Sequence, residues 1–380
     1  MKYIPEKIQA HELKDETLES GDMSKKVIHV NAGAPTKTND TGEGYNQGTI
    51  WVDSTNGDMY ICTAHTAEDA TWQNMEGDDI NNVSYQGTNT SFGIGGRTAP
   101  GSPNNSDVVD KFSLSSDANA SDATEAVAAS PGYSTANMQA SEAKSLILGR
   151  ASNNDIGIFN LATEAISDSG NELAVNNGGG GGTNQSTTHY FHYKDGPAGT
   201  NIYTGAFSSP YAASDTGDEA TASGYSSSTF GDKTYMFSTA GYLGPPGAQH
   251  NQIERMSKTS PHTGTDVANA VRDDRGQTGG SASTTHGYTF GGEPDISDIE
   301  KFQMSATSDA SDVAELATNT NGGCVGEQAS SPSSGYAIGG SNPSPAGINV
   351  IQKYAFSADQ DATDVGDLSQ ARYGIGHAYY

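Results

Sequence analysis

Ile299-Glu300-Lys301-Phe302, with Ser311-Asp312-Val313 behind it, decides the fold because the chain repeats it. Val109-Asp110-Lys111-Phe112 is followed by Ser121-Asp122-Ala123, and Ile253-Glu254-Arg255-Met256 by Thr265-Asp266-Val267. Ile351-Gln352-Lys353-Tyr354 is followed by Thr363-Asp364-Val365. In all four copies the Asp stands ten residues after the aromatic residue or Met. Chance does not hold such a register, so the chain is a repeat protein, and the repeat period comes before any other inference about fold.

Two weaker copies complete the series. Ile156-Gly157-Ile158-Phe159 keeps the Ile and Phe and has Ser167-Asp168 one residue early, and a decayed copy runs from Ile202 to Phe207. With Phe112, Phe159, Phe207, Met256, Phe302 and Tyr354 as anchors the period is about 48 residues, that of a propeller blade. Upstream of most anchors an apolar run ends in glycine, as in Phe92–Gly96, Leu146–Gly149, Tyr288–Gly292 and Tyr336–Gly340. Tyr190–Tyr193 and Tyr235–Phe237 fill the same slot. Each period holds four short apolar stretches between turn formers, the grammar of an all-β protein. In the fifth these are Tyr288–Gly292, Ile299–Met304, Val313–Leu316 and Cys324–Ala329. The Ile and the aromatic, three apart on one strand, point to opposite faces, as a sheet packed on both sides requires. The expected architecture is all-β, six four-stranded blades over residues 84–380, behind a small N-terminal β-rich module in residues 1–80.

A glycine-pair strand, a basic-aromatic strand, a third strand ending in Leu, and an arginine or glycine before a small-residue strand together resemble the kelch repeat. Gln370-Ala371-Arg372-Tyr373-Gly374-Ile375-Gly376-His377-Ala378 carries that last element most clearly. The Trp usual in the third kelch strand is absent from every copy. The Lys-Phe and Ser-Asp-Ala/Val style is similar to kelch-like proteins of marine tailed phages, which implies a virion protein of tail-fibre or appendage type. In this reading Tyr373–Tyr379 closes the ring by completing the first blade, so that no long edge stays open.

The N-terminal region breaks the repeat. Ile4, Ile8, Leu13 and Leu18 give a loose apolar pattern without a long apolar run, so neither a signal peptide nor a membrane span is expected there. Gly48–Asp53 and Met59–Thr63 read as a hairpin around Asn56-Gly57, with Ala70–Gln73 as a third strand. The module is similar to hairpin modules near the ends of phage tail-fibre proteins, and also reads as a plain β-rich cap. Ile4, Ile8, Leu13, Trp51, Tyr60 and Trp72 are the expected contacts to other virion proteins, since apolar and aromatic groups mark partner surfaces.

With 46 acidic against 19 basic residues the chain carries −27, which repels nucleic acid and anionic membranes. Cys62 and Cys324 form no framework and no paired-cysteine zinc motif. Asp117–Asp122 and Asp359–Asp364 alternate oxygens as calcium loops do but lack the glycine and distal Glu, and their recurrence favours hairpin tips. His189, Tyr190 and His192 are read as packing or surface residues, the glycines at 178–182 as a loop, and Lys111, Arg255, Lys301 and Lys353 as partners of neighbouring acids. No catalytic constellation, cofactor site or metal set is visible. The expectation is a non-enzymatic virion structural protein present in multiple copies, anchored by its N-terminal region and displaying its propeller for assembly or to a host surface receptor. The alternative is a secreted propeller enzyme, carbohydrate-active or a copper oxidase.

Overall fold

The computed structural model describes residues 28–74 and 87–379 apart from short stretches, the longest at 55–58, 100–105, 126–136, 173–181, 195–199, 219–226, 243–248 and 321–325. The chain divides into two compact units, Met1–Asn82 and Val83–Tyr380. The ordered elements are strands, as the β-branched and aromatic runs between Gly, Ser and Asp dictate.

In the first unit four strands form one sheet in chain order: β1 (Ile28–Asn31), β2 (Ile50–Asp53), β3 (Met59–Thr66) and β4 (Asp69–Asn74). β2 and β3 make the expected hairpin, with Trp51 opposite Tyr60, and β3 pairs antiparallel with β4. β1, which the sequence pattern did not reveal, lies parallel to β2 at the sheet edge.

The second unit is propeller-like. Sheet A joins Thr90–Ile94, Val108–Ser113 and Ser121–Glu125 to the C-terminal strand Gly376–Tyr379, with Ala378 opposite Phe92. Sheet B spans Asn137–Glu172, sheet C Gly182–Asp218 and sheet D Ser228–Asn269, each four-stranded in chain order. Sheet E runs from Gly279 to Thr320, and sheet F from Ser334 to Arg372. Gly326–Glu327, expected as the fourth strand of the fifth period, instead pairs parallel with Gly279 and Gly280, while Ser330 bridges to Gly335 of sheet F.

The two-faced packing of the repeated strand is observed directly. Val109 lies in a core with Ile147 and Phe159 of sheet B, whereas Phe112 lies in one with Tyr336 and Ile338 of sheet F. Ile299 packs with Tyr354 of sheet F, and Phe302 with Phe230 and Phe237 of sheet D. Ile156 meets Tyr203, and Ile202 meets Met236 and Met256. Successive sheets are thus joined by apolar clusters from A through F and back to A.

The ten-residue spacing has a physical cause. Asp122, Asp266, Asp312 and Asp364 pair with Asp110, Glu254, Glu300 and Gln352, and the register slips one residue just beyond each. Ala123, Val267, Val313 and Val365 are therefore β-bulges, which kink the outer strand and raise its twist. Sheet C keeps the same bulge, with Tyr203 opposite Asp215 and Ile202 opposite Gly217. By register Gly205 takes the anchor position, while the expected Phe207, two residues on, is the aromatic buried against Leu146 and Ile156 of sheet B. Both glycines of each pair adopt left-handed backbone, with φ of 64° and 101° at Gly95 and Gly96 and 63° and 116° at Gly291 and Gly292. A side chain is strained there, and a Cβ on Gly96 would lie 2.7 Å from the Tyr373 carbonyl oxygen.

Candidate functional site

Much of the recurrent charge belongs to the framework. Lys111 Nζ meets Glu164 at 2.5 Å, Lys301 meets Asp359 at 2.9 Å, and Lys353 meets Asp117 at 2.8 Å. Each acid lies five residues after its own anchor, so each lysine reaches one sheet onward. Arg255 stacks over Tyr235 instead. The alternating oxygens of the hairpin tips are similarly engaged. Asn119 accepts from Asp367 N, Asp361 from Glu315 N, and Asp309 from Asn269 N, each tip lacing onto the preceding sheet's outer strand.

In two copies the buried acid of the repeated motif meets a buried arginine that follows the outer strand of the preceding sheet or ends it. Arg372, fully buried, donates to Asp110 Oδ2 at 2.5 Å and to the carbonyls of Gly95, Val108 and Gly93. Arg275 faces Glu300 at 3.0 Å, both side chains wholly buried. Desolvation pushes the Arg275 guanidinium below its usual range and the Glu300 carboxyl above its own, each opposed by the other's charge. Between sheets E and F no arginine enters, and the acid is replaced by Gln352. Its amide accepts from Thr318 N at 2.7 Å and donates to Thr318 O at 2.9 Å, a neutral solution to the same joint.

The joint between sheets D and E carries more charge than this framework uses. Arg272 Nη1 donates to Asp298 Oδ2 at 2.9 Å, and its Nε to Asp274 at 3.2 Å. By the backbone bonds that Val271, Thr318 and Ser369 donate to Glu300, Gln352 and Asp110, Arg272 matches Asn319 and Gln370, while Asp298 matches Val350 and Val108. Arg272 is about one-third exposed, at 36%, and Val271 beside it is an exposed apolar side chain. Asp312 stands nearby with its carboxyl raised, by desolvation first and then by the charges of Asp298 and Glu315. Donors, acceptors, a carboxyl poised upward and an apolar side chain therefore converge at one accessible joint.

The residues expected to anchor the chain lie elsewhere. Trp51, Tyr60 and Trp72 are 2%, 6% and 0% exposed and form the core of the first unit with Tyr45, Cys62 and Ala70. Trp51 Nε1 donates to Gly33 O and Trp72 Nε1 to Asn39 O, holding the 33–39 segment over that face. Their role as exposed contacts is corrected by this burial. Ile4, Ile8 and Leu13 lie outside the described residues, as do most of the 178–182 glycines and Cys324. Cys62 is a free thiol donating to Ala64 O, pushed up by burial. His189 is buried, and desolvation holds it down to about 3. Tyr190, on the opposite face, donates its hydroxyl to Lys258 O. Among the described residues no three His, Cys, Asp or Glu side chains gather as a metal set. The D–E joint was missed in the sequence because its residues come from two periods and only the departures from the repeat, Arg272 and Asp298, signal it.

No family model and no curated protein matches the chain. The solved structure of YjhT is similar in fold, with a TM-score of 0.55 and 11% identity over 74% of this chain and 95% of that one. The likeness shows a β-propeller-like fold. It also corrects one expectation: the fold shared with YjhT is an architecture that hosts many unrelated functions, enzymes included, so the exclusion of catalysis is withdrawn.

Proposed function

We propose that this chain is a carbohydrate-directed propeller carried on a separate β module, its six sheets serving as six kelch-like blades. The observation that carries this reading is the D–E joint, where Arg272 and Asp298 form a partly exposed ion pair at positions held by Asn319 and Val350, and by Gln370 and Val108, in the two joints that follow. Vicinal sugar hydroxyls, each both donor and acceptor, match that pairing, and the exposed Val271 offers an apolar flank. Resemblance of the repeats to kelch-like proteins of marine tailed phages supports a virion as the setting, with a host-surface polysaccharide as the ligand.

A secreted carbohydrate-active enzyme is the second reading, favoured by the raised carboxyl of Asp312 beside Asp298. Glycoside hydrolysis pairs a carboxyl of raised pKa with a second carboxylate, and Asp312 is raised by desolvation first and then by the charge of Asp298. Calorimetric titration with a panel of bacterial surface polysaccharides, followed by assay of new reducing ends, tests both. Binding without new ends supports recognition alone, binding with new ends supports the enzyme, and no binding across the panel removes the carbohydrate reading. Mass spectrometry of purified particles tests the virion setting separately.

A further inference from the structure

The cation of the repeated motif and the acid that answers it come and go together along the chain, with one exception. The cation stands one residue before the anchor, and the acid five residues after the anchor of the next sheet. Joints A–B, E–F and F–A hold both members, as Lys111–Glu164, Lys301–Asp359 and Lys353–Asp117. Joints B–C and C–D hold neither, since the two positions are Ile158 and Pro210 in one and Thr204 and Pro261 in the other. Joint D–E alone is split: Arg255 is present, and Thr307 stands where the acid belongs. Scarcity of acids does not explain the gap in a chain with 46 of them against 19 basic residues.

Arg255 points into that joint. Ile253, two residues earlier on the same strand and so on the same face, lies in one core with Phe302 and Met304 of sheet E. The guanidinium sits over the ring of Tyr235, 4.7 Å from its centroid, a contact that orients it without using its N–H groups. Among the described residues those groups form no ion pair and no hydrogen bond, and the side chain is half-buried. Asp309, two residues beyond Thr307, is already taken by the backbone and side-chain amides of Asn269. We propose that Arg255 receives a carboxylate from outside the chain, an Asp or Glu side chain of a partner protein. The other joints select this occupant, because in three of them the same place is filled by an Asp or Glu at the tip of a peptide hairpin. Arginine, where those three joints use lysine, suits a carboxylate that arrives untethered, since its planar fork holds both oxygens at once. The site is at the opposite end of the D–E joint from Arg272. Arg255 pairs with Thr265 at the start of the outer strand, whereas Arg272 follows the end of that strand at Asn269. The inference therefore does not rest on the carbohydrate reading.

NMR of the arginine side chains in the full chain is the test, with the Arg255 signal identified by its loss in Arg255→Gln. The probes are acetate, glucuronate, an end-blocked peptide copying the hairpin tip at residues 356–362, and the same peptide with Asp359→Asn and Asp361→Asn. The acidic peptide is expected to shift the Arg255 signal saturably and to bind more tightly than acetate or glucuronate, while the amide peptide leaves the signal in place. Thr307→Asp supplies the acid from within and should weaken the acidic peptide at least about tenfold, whereas Thr307→Asn leaves it unchanged. Thr307 is exposed in a turn, and the other arginine signals check that both variants keep the fold. No saturable shift with the acidic peptide, or a shift indifferent to Thr307→Asp, overturns the proposal. Glucuronate binding more tightly than the acidic peptide also overturns it, and assigns Arg255 to an acidic saccharide instead.

Discussion

Arg372 and Asp110 lie 262 residues apart in the chain and meet as a fully buried ion pair at 2.5 Å. The pair ties the outer strand of sheet F to the first sheet, beside the C-terminal strand that completes it. Arg372 also donates to the carbonyls of Gly93, Gly95 and Val108, so its charge is compensated on several sides. Removing one member leaves the other buried and unpaired. Asp110→Ala is expected to cost about 3–5 kcal/mol in denaturant unfolding. A double variant, Asp110→Gln with Arg372→Met, removes both charges and lets the new amide meet the Ser369 backbone as Gln352 meets that of Thr318, and should recover part of that loss. No recovery means the two joints are not interchangeable.

Phe302 fills the space between sheets D and E against Phe230 and Phe237. Phe302→Ala should destabilise the second unit by about 3–5 kcal/mol, the range for large-to-small changes in packed cores. Lys301→Ala, one residue away, removes a partly exposed ion pair with Asp359 and should cost under about 1 kcal/mol. Equal effects of the two substitutions in parallel melts would show that the sheet interfaces are not held chiefly by apolar packing.

His377 sits on the closing strand, its imidazole held down to about 3 by burial first and then by the charge of Arg372. Neither ring nitrogen has a hydrogen-bond partner. The folded pKa lies below the ordinary value near 6.5, so the unfolded chain binds the proton more readily across the interval between them. Stability from the neutral imidazole is present above about pH 6.5 and declines as pH falls toward 3, by up to about 1.4 kcal/mol per unit. Melting temperatures should fall between pH 6.5 and 5.5, less steeply in His377→Leu. A slope unchanged in that variant removes His377 as its source.

The repeats could be read from the sequence because their spacing is fixed by backbone geometry. A bulge after Asp122, Asp266, Asp312 and Asp364 demands one distance, and the two-faced strand demands Ile and an aromatic three apart. Where the aromatic leaves the register, as at Gly205, the pairing reveals the shift, and Phe207 supplies the buried ring two residues later. Strand β1 is too short to stand out by pattern. In the first unit both faces of the hairpin are apolar, and alternation cannot tell which one holds the core. The aromatic face with Trp51 and Trp72 is filled from within, while Ile28 and Val30 on the other are exposed. The charged joint was hidden because Arg272 and Asp298 are 26 residues apart and neither belongs to the repeated motif.

The central claim is that the repeated charges fasten the sheets while the added charges at one joint meet a ligand. Titration of a binding polysaccharide into two variants tests it most directly. Arg272→Ala removes the added cation and leaves Asp298 to the buried Arg275, whereas Lys301→Ala removes a framework cation. The account predicts that the first variant loses at least about tenfold in affinity, as loss of a charged hydrogen-bond donor does, while the second binds as the wild type does. Equal binding by all three proteins, or a comparable loss in the framework variant, would contradict it.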